Sequence, residues 1–397
     1  FVCSLCNLNF EGKSFMRTHL RSKFHLRMDR LLRDGYESYE KRSNQIASKI
    51  SVLVKNKEDE GTKELALQFL RNYKKGRTVV LLYYMYVDVK DPKKLRDWTA
   101  NIAKELELKG RIHVATEGIN GTIAGTEFAT SLYIKAMREH EIYSKLFCQT
   151  DFKKSFTNGP NPFRNLFVKV CTEIISNGKS PSELTYKNSG THLSPKEFHE
   201  MLLNDSDEMV LIDCRNLYES AVGRFDNSVR TPTRHFTEYP DFVDRMTEQW
   251  KGKTVMMYCT GGIRCERASA YLRDKGLKRV FQLRGGIARY CESVPPEESL
   301  FKGKNFVFDK RLTLDRVSDD VIGSCISCHE KFDDYDVKYT CSECNALVLV
   351  CKKCRSCEKK FRCEYCCLKD DESKKEEKIG SGGGDEEGGD TSSNRSS

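Results

Sequence analysis

Between residues 79 and 287 short apolar runs alternate with longer stretches of helical periodicity. Val210–Ile212 and Val255–Tyr258 are apolar runs of the length and composition of buried parallel strands. After the second run, Ala268, Tyr271 and Leu272 fall at i, i+3 and i+4 of a helix that Gly276 stops. Upstream, Val79–Val87 is β-rich and Asp91-Pro92 caps a helix reaching about Leu108. Arg111–Ala115 is a strand, Glu117-Gly-Ile-Asn-Gly121 a turn, and Thr122–Ala124 a further strand. A helix from about Glu127 to His140 and a strand at Leu166–Val170 complete the order βαββαβ, a ferredoxin-like pattern.

The expected fold class is therefore a multidomain α/β chain. It holds a ferredoxin-like α+β domain at 77–175 and a parallel α/β domain at 191–300 whose site lies at the carboxyl ends of its strands. A charged, partly helical linker (34–76) precedes them and a second linker (176–190) joins them. Residues 369–397, with Gly382-Gly-Gly384 and nine acidic against four basic side chains from Asp370 onward, cannot bury a core and are expected to be disordered.

Cysteine spacing adds two metal-binding modules. At the start, Cys3-x2-Cys6, then His19 and His25, form a C2H2 ligand set (1–33), with Phe10 and Met16 at the apolar positions of a ββα zinc finger. Its long His-x5-His spacing is similar to matrin-type fingers. Binding of structured RNA and a purely structural role are both open, as is whether Arg21, Lys23, Arg27, Arg30 and Arg33 face phosphates or solvent. At 301–368, Cys325-x2-Cys328, Cys341-x2-Cys344, Cys351-x2-Cys354 and Cys363-x2-Cys366 supply eight thiolates, enough for two closed tetrahedral sites. About three structural zinc ions are expected in all. Sequential and cross-braced pairings both satisfy the spacing, His329 could replace a sulfur, and Cys357 and Cys367 are spare. Of 18 cysteines, ten lie in Cys-x2-Cys pairs, which argues against a disulfide framework and for a reducing compartment, cytoplasmic or nuclear.

One cysteine is of a different kind. Cys259 ends an apolar strand, and Gly261 and Gly262 follow before the helix begins. Loop amides and the helix N-terminus can then surround the sulfur with positive potential, and Arg264 adds a fixed charge. A cysteine-dependent phosphatase would need Cys-x5-Arg to hold a phosphate. Cys259 to Arg264 is Cys-x4-Arg, a smaller loop that suits sulfur chemistry. The competing reading is a core cysteine before a glycine turn. Cys265 could form a disulfide with Cys259, or simply pack in the first helical turn.

The segment Val210-Leu-Ile-Asp-Cys-Arg-Asn-Leu-Tyr-Glu219, the Cys259–Leu272 run and Val280-Phe-Gln-Leu-Arg-Gly-Gly-Ile287 together resemble the rhodanese domain over about Thr191–Pro296. The resemblance implies that Cys259 carries a persulfide or acts as the reactive thiol, that Arg264 and the loop amides stabilise its charge, and that Asp213 and Arg215 mostly brace the loop. The stretch Gly110-Arg-Ile-His-Val-Ala-Thr-Glu-Gly-Ile-Asn-Gly-Thr-Ile-Ala-Gly125, with Cys259–Ala270, further resembles the tRNA uridine hydroxylase family over about Val79–Cys367. That family pairs a ferredoxin-like domain with a rhodanese domain and installs 5-hydroxyuridine at the wobble position using oxygen. Here the chain reads Cys171-Thr-Glu-Ile-Ile175 where the family carries a basic stretch, which predicts a lost basic contact. Glu117 and Asn120, in the turn before the third strand, are candidate substrate contacts or plain hairpin residues.

Three functions follow in order of preference: hydroxylation of a tRNA wobble uridine; sulfur transfer from Cys259 to a small thiol or protein acceptor; and a non-catalytic RNA- or protein-binding adaptor, against which the intact Cys259 and Arg264 argue. No flavin, nicotinamide or haem fingerprint and no 2-His-1-carboxylate motif is present to activate oxygen. The net charge of +9, carried by a body more basic than the whole because the tail is acidic, suits an RNA partner or generic solubility. A hydrophobic content of 38% with no apolar run near twenty residues predicts no membrane association.

Overall fold

A computed structural model of the protein describes residues 78–370, apart from 141–142, 158, 205–207, 318 and 357–359. The expected N-terminal finger with Cys3, Cys6, His19 and His25, the linker at 34–76, Cys357 and residues 371–397 lie outside the described residues.

The first domain is a five-stranded sheet of order β4-β1-β3-β2-β5. Its strands are β1 (Thr78–Tyr86), β2 (Lys109–Ala115), β3 (Gly118–Thr126), β4 (Lys153–Thr157) and β5 (Leu166–Val170). Helices α1 (Pro92–Glu105) and α2 (Glu127–Glu139) cover one face, and a short helix α3 (Ser144–Phe147) follows them. Asp91 caps α1 by accepting the Lys94 amide at 2.9 Å, with Pro92 in the first turn. Alternation along the strands sends Val79, Leu81, Tyr83, Ile112, Val114, Ile119 and Ile123 into the helix-covered core.

Two expectations need correcting. The fourth strand of the βαββαβ unit is Lys153–Thr157, paired antiparallel with β1, whereas Leu166–Val170 is an additional edge strand running parallel to β2. The sequence misleads at both places: Lys153-Lys-Ser-Phe-Thr157 is too polar to read as a strand, and Leu166-Phe-Val-Lys-Val170 is apolar yet leaves Phe167 exposed. The turn before β3 is also shorter than expected. Its two residues are Thr116 and Glu117, and pairing with β2 resumes at Gly118, opposite Ala115.

The second domain has an all-parallel sheet of order β6-β11-β10-β7-β9. The strands are β6 (Thr191–Leu193), β7 (Met209–Asp213), β9 (Val229–Arg230), β10 (Thr254–Tyr258) and β11 (Val280–Leu283), with β8 (Gly223–Phe225) outside this sheet. Helices α4 (Pro195–Leu203), α5 (Leu217–Ser220), α6 (Tyr239–Trp250), α7 (Ile263–Asp274) and α8 (Gly286–Ser293) connect them. The central strands are apolar on both faces, as a doubly covered sheet requires. Val210, Ile212, Val255 and Met257 pack toward α6 and α7, and Leu211, Met256 and Tyr258 toward α4 and α8.

Strands β12 (Phe301–Phe306) and β13 (Thr313–Arg316) form an antiparallel sheet with β8 and lead into the cysteine-rich segment. That segment packs on the second domain through Leu217, Val348, Val350 and Tyr365. Arg230 holds Glu364 with two bonds of 2.8 and 2.9 Å, and the Tyr335 hydroxyl donates to the Tyr218 carbonyl at 2.6 Å.

The connection at 176–190 is better packed than its composition suggests. Arg267, fully buried in α7, donates to Glu117 at 3.1 Å, to Glu173 at 3.1 Å, to Asn177 at 3.2 Å and to the backbone carbonyls of Lys179 and Leu184. Among the described residues, no helix is long and apolar enough to cross a membrane.

Candidate active site

Cys259 stands at the carboxyl end of β10, with its carbonyl accepting the Ile287 amide of α8 at 3.0 Å. The Thr260 carbonyl accepts the Ala288 amide at 3.1 Å, so the turn is pinned from below. Gly262, at φ +101°, is the N-cap of α7. A side chain there would be strained, and its Cβ would come within 2.7 Å of the Tyr84 hydroxyl. A Cβ on Gly261 would lie 2.8 Å from Leu82 Cδ2. Both glycines are therefore needed because the first domain presses its β1 onto this loop.

The sulfur is fully buried. The Gly262 amide donates to it at 3.1 Å. Burial alone would raise the thiol's pKa; a hydrogen bond with Cys265, the Arg264 charge and the amides of Arg264 and Gly261 outweigh it and bring it down to about 5. The group is thus a thiolate at neutral pH. Its neighbour Cys265 moves the other way, pushed well up by burial and by contact with Cys214 and Cys259. The pair is an ionised sulfur beside a protonated one.

Arg264 reaches the thiolate through charge and through its backbone. Its guanidinium is clamped by both Glu219 oxygens at 2.5 and 2.7 Å and reaches Thr260 Oγ1 at 3.2 Å. Glu219 also accepts the Asn216 amide at 3.1 Å, closing a capping box on α5. Asp213 and Arg215 form a fully buried ion pair with bonds of 2.8 and 2.6 Å. Arg215 donates on to the Gly223 carbonyl and Tyr258 donates to Asp213, so the pair ties β7 to β8 and β10 and does not touch the thiolate.

Several residues at the site gave no sequence signal for this role. Leu82 and Tyr84 roof the loop, and the Tyr84 hydroxyl donates to Glu266 at 3.1 Å. Lys153 is buried with its ammonium 2.9 Å from Asp151 and 5.3 Å from the Tyr84 ring centre; burial lowers its pKa, and the Asp151 and Cys259 charges oppose that shift. The alternation along β1 could have marked Leu82 and Tyr84 as a second face, though not what covers it. Glu117 and Asn120 belong to the same interdomain seam. The Glu117 carboxylate accepts the Ile174 amide at 2.9 Å and the Arg267 bond, and the Asn120 amide donates to the Ile174 carbonyl at 2.9 Å. In these bonds both act as braces of the seam, with Glu117 buried and Asn120 half-buried.

The four Cys-x2-Cys pairs converge crosswise. Cys325, Cys328, Cys351 and Cys354 form one group and Cys341, Cys344, Cys363 and Cys366 the other, each with its sulfurs within 4.8 Å of one another. Sulfur–sulfur separations of 3.6, 3.8 and 3.4 Å for Cys328–Cys351, Cys341–Cys366 and Cys344–Cys363 match the roughly 3.8 Å edge of a tetrahedron with bonds near 2.3 Å. The Cys351 and Cys363 amides donate to Cys325 and Cys341 sulfurs at 3.3 Å. Both groups fit a metal ion. His329 and Cys367 stand outside both.

Three family models match the chain: the UPF0176 acylphosphatase like domain over 78–174, the rhodanese-like domain over 194–293 and the rhodanase C-terminal region over 302–368. A tRNA uridine(34) hydroxylase of Staphylococcus saprophyticus is 39% identical over 281 residues, 68% of this chain and 84% of that protein. One of Legionella pneumophila strain Paris is 36% identical over 243 residues, 61% of this chain and 92% of its own length. Rhodanese-like domain-containing protein 6 of Arabidopsis thaliana is 39% identical over 311 residues, 72% of this chain; the chain spans about half the length of that plant relative, 52%. With matches that run through both α/β domains and nearly the whole of the bacterial proteins, the chain belongs to the tRNA uridine(34) hydroxylase family.

Proposed function

We propose that this chain hydroxylates the wobble uridine of a tRNA to 5-hydroxyuridine in an oxygen-dependent reaction, with Cys259 as the reactive thiolate. The observation that carries the reading is the seam between the two domains. A sulfur carrier needs only the rhodanese domain, whereas here Leu82 and Tyr84 of the acylphosphatase-like sheet close over the Cys259 loop. Arg264 and the amides of the loop hold the negative charge on Cys259, Cys265 supplies a neutral thiol beside it, and Asp213 with Arg215 keeps the strand ends in register. The two four-cysteine groups would each hold a structural zinc ion, because an all-sulfur tetrahedral set leaves no open position for substrate. A reducing compartment suits both the free Cys259 thiolate and these sites.

The test is mass spectrometry of tRNA nucleosides from cells lacking the protein, complemented with the native chain or with Cys259→Ser. Restoration of 5-hydroxyuridine by the native chain alone is expected. Unchanged nucleosides in the deletion, in cells without a second enzyme for this step, would overturn the reading.

A further inference from the structure

The face of the acylphosphatase-like sheet away from α1 and α2 is only half used by the Cys259 loop. Strand register lays out two rows of side chains across it. One runs Leu82–Thr122–Arg111–Phe167 and the next Tyr84–Asn120–His113–Lys169. Each row starts over the reactive loop and ends at the β5 edge, about 14 Å away for three strand spacings. The far end is open: Phe167 is 62% exposed.

Across from that edge stands the end of β12. Phe308, 47% exposed, faces the same cleft, and the Arg264 guanidinium lies 5.6 Å from its ring centre. The space between is a cleft of about 590 Å³ bounded by all three regions of the protein. Arg111, Arg164 and Lys310 line it, and none of the three makes an ion pair among the described residues. The acid on its wall, Asp309, is already held by Arg311 with bonds of 2.8 and 2.6 Å. Burial, and after it the Lys169 and Arg111 charges of this edge, hold the His113 imidazole below its ordinary pKa.

We propose that this cleft binds a single-stranded RNA loop, with Phe167 and Phe308 as stacking platforms for unpaired bases and Arg111, Arg164 and Lys310 as phosphate contacts. The proposal rests on the tRNA reading above and adds where, and through which feature of the RNA, the substrate is held. Unpaired bases offer π-faces that exposed aromatic rings accept, and a sheet face carrying aromatics is a known solution for such binding. An acidic peptide would satisfy the three cations but leave both rings in water, so RNA is the occupant the lining favours. The cleft also meets the reactive loop from two sides, through the rows that end at Leu82 and Tyr84 and through Phe308 against Arg264.

The experiment uses the full chain and a fluorescent anticodon stem-loop RNA with uridine at the wobble position, read by anisotropy at several salt concentrations. Phe167→Ala and Phe308→Ala should each weaken binding about tenfold. Arg164→Glu with Lys310→Glu should weaken it further and flatten the salt dependence. A fully paired duplex of equal charge should bind no differently to the aromatic variants and to the native chain. Unchanged loop affinity in the Phe167→Ala/Phe308→Ala double variant would overturn the proposal, as would polyglutamate displacing the RNA in a way that depends on the three cations and ignores the rings. Phe167 is largely exposed and Phe308 about half exposed, so thermal melts of the Phe167→Ala variant should match the native chain and those of Phe308→Ala should fall by a few degrees at most. The outcomes separate the two readings: if binding survives in the double variant while Cys259→Ser abolishes 5-hydroxyuridine, the cleft fails and the hydroxylase stands; if loop binding is lost in the variants but the nucleosides never change, the reverse holds.

Discussion

Cys259 and the eight cysteines between 325 and 366 keep their sulfurs ready by contrasting means. At Cys259 one thiolate is held by amides, a neighbouring thiol and a buried arginine. In the C-terminal groups four sulfurs converge on a point, an arrangement that fits a metal ion. The first arrangement suits a nucleophile; the second suits sulfur as a fastener. The contrast also separates two uses of buried charge, since Arg264 is neutralised by Glu219 and still contributes its field to the thiolate.

Metal removal should break the comparison most completely. Stripping the ions with a strong chelator is expected to unfold 325–366 at a cost on the order of 10 kcal/mol per site, seen as loss by elemental analysis of the two metal equivalents these groups would hold, beside any held by the N-terminal finger, and of a melting transition. Cys341→Ser should release one of the two, because Cys341 belongs to only one group. Retention of both ions would remove Cys341 from the ligand set. Next in size, Arg267→Leu leaves Glu117 and Glu173 without their buried partner and should cost about 3–5 kcal/mol in denaturant unfolding.

Arg264→Lys keeps a charge but cannot reproduce the two-bond clamp on Glu219. The midpoint for alkylation of Cys259, followed by peptide mass spectrometry, should rise from about 5 in the native chain toward the ordinary thiol range. The sign follows from the depressed pKa. Ionised Cys259 stabilises the fold fully above the unfolded thiol's pKa of about 8.5, and that contribution is gone once pH falls through about 5. An unmoved midpoint would assign the shift to the Cys265 hydrogen bond, the amides and a charge that lysine can replace. Smallest of all, Lys251→Ala removes an exposed pair with Glu248 and should change stability by less than about 1 kcal/mol.

The strand–loop–helix around Cys259 was legible because local spacing dictates it: an apolar strand, two glycines and an apolar helical face. The Cys-x2-Cys pairs were legible as ligands for the same reason, while their crosswise grouping depends on how the chain crosses itself and leaves no trace in spacing. The roof of Leu82 and Tyr84 was hidden, since alternation along β1 marks a second face without naming its cover. Lys153 was hidden more deeply, because a lysine in a polar pentapeptide gives no sign that it will be buried beside Asp151. Nothing in the spacing marked Glu266 and Arg267 for burial, yet α7 buries both.

The Arg267 clasp changes what counts as a unit of this protein. One guanidinium is shared by a turn of the first domain, the connecting segment and a helix of the second. Cutting the chain between residues 176 and 190 would strand that cation inside a fragment lacking its carboxylates, and would bare the sheet face that now lies against Cys259. The domain boundary visible in topology is therefore absent from the energetics: the two halves should melt in one cooperative step, and neither inherits the reactive sulfur's environment alone.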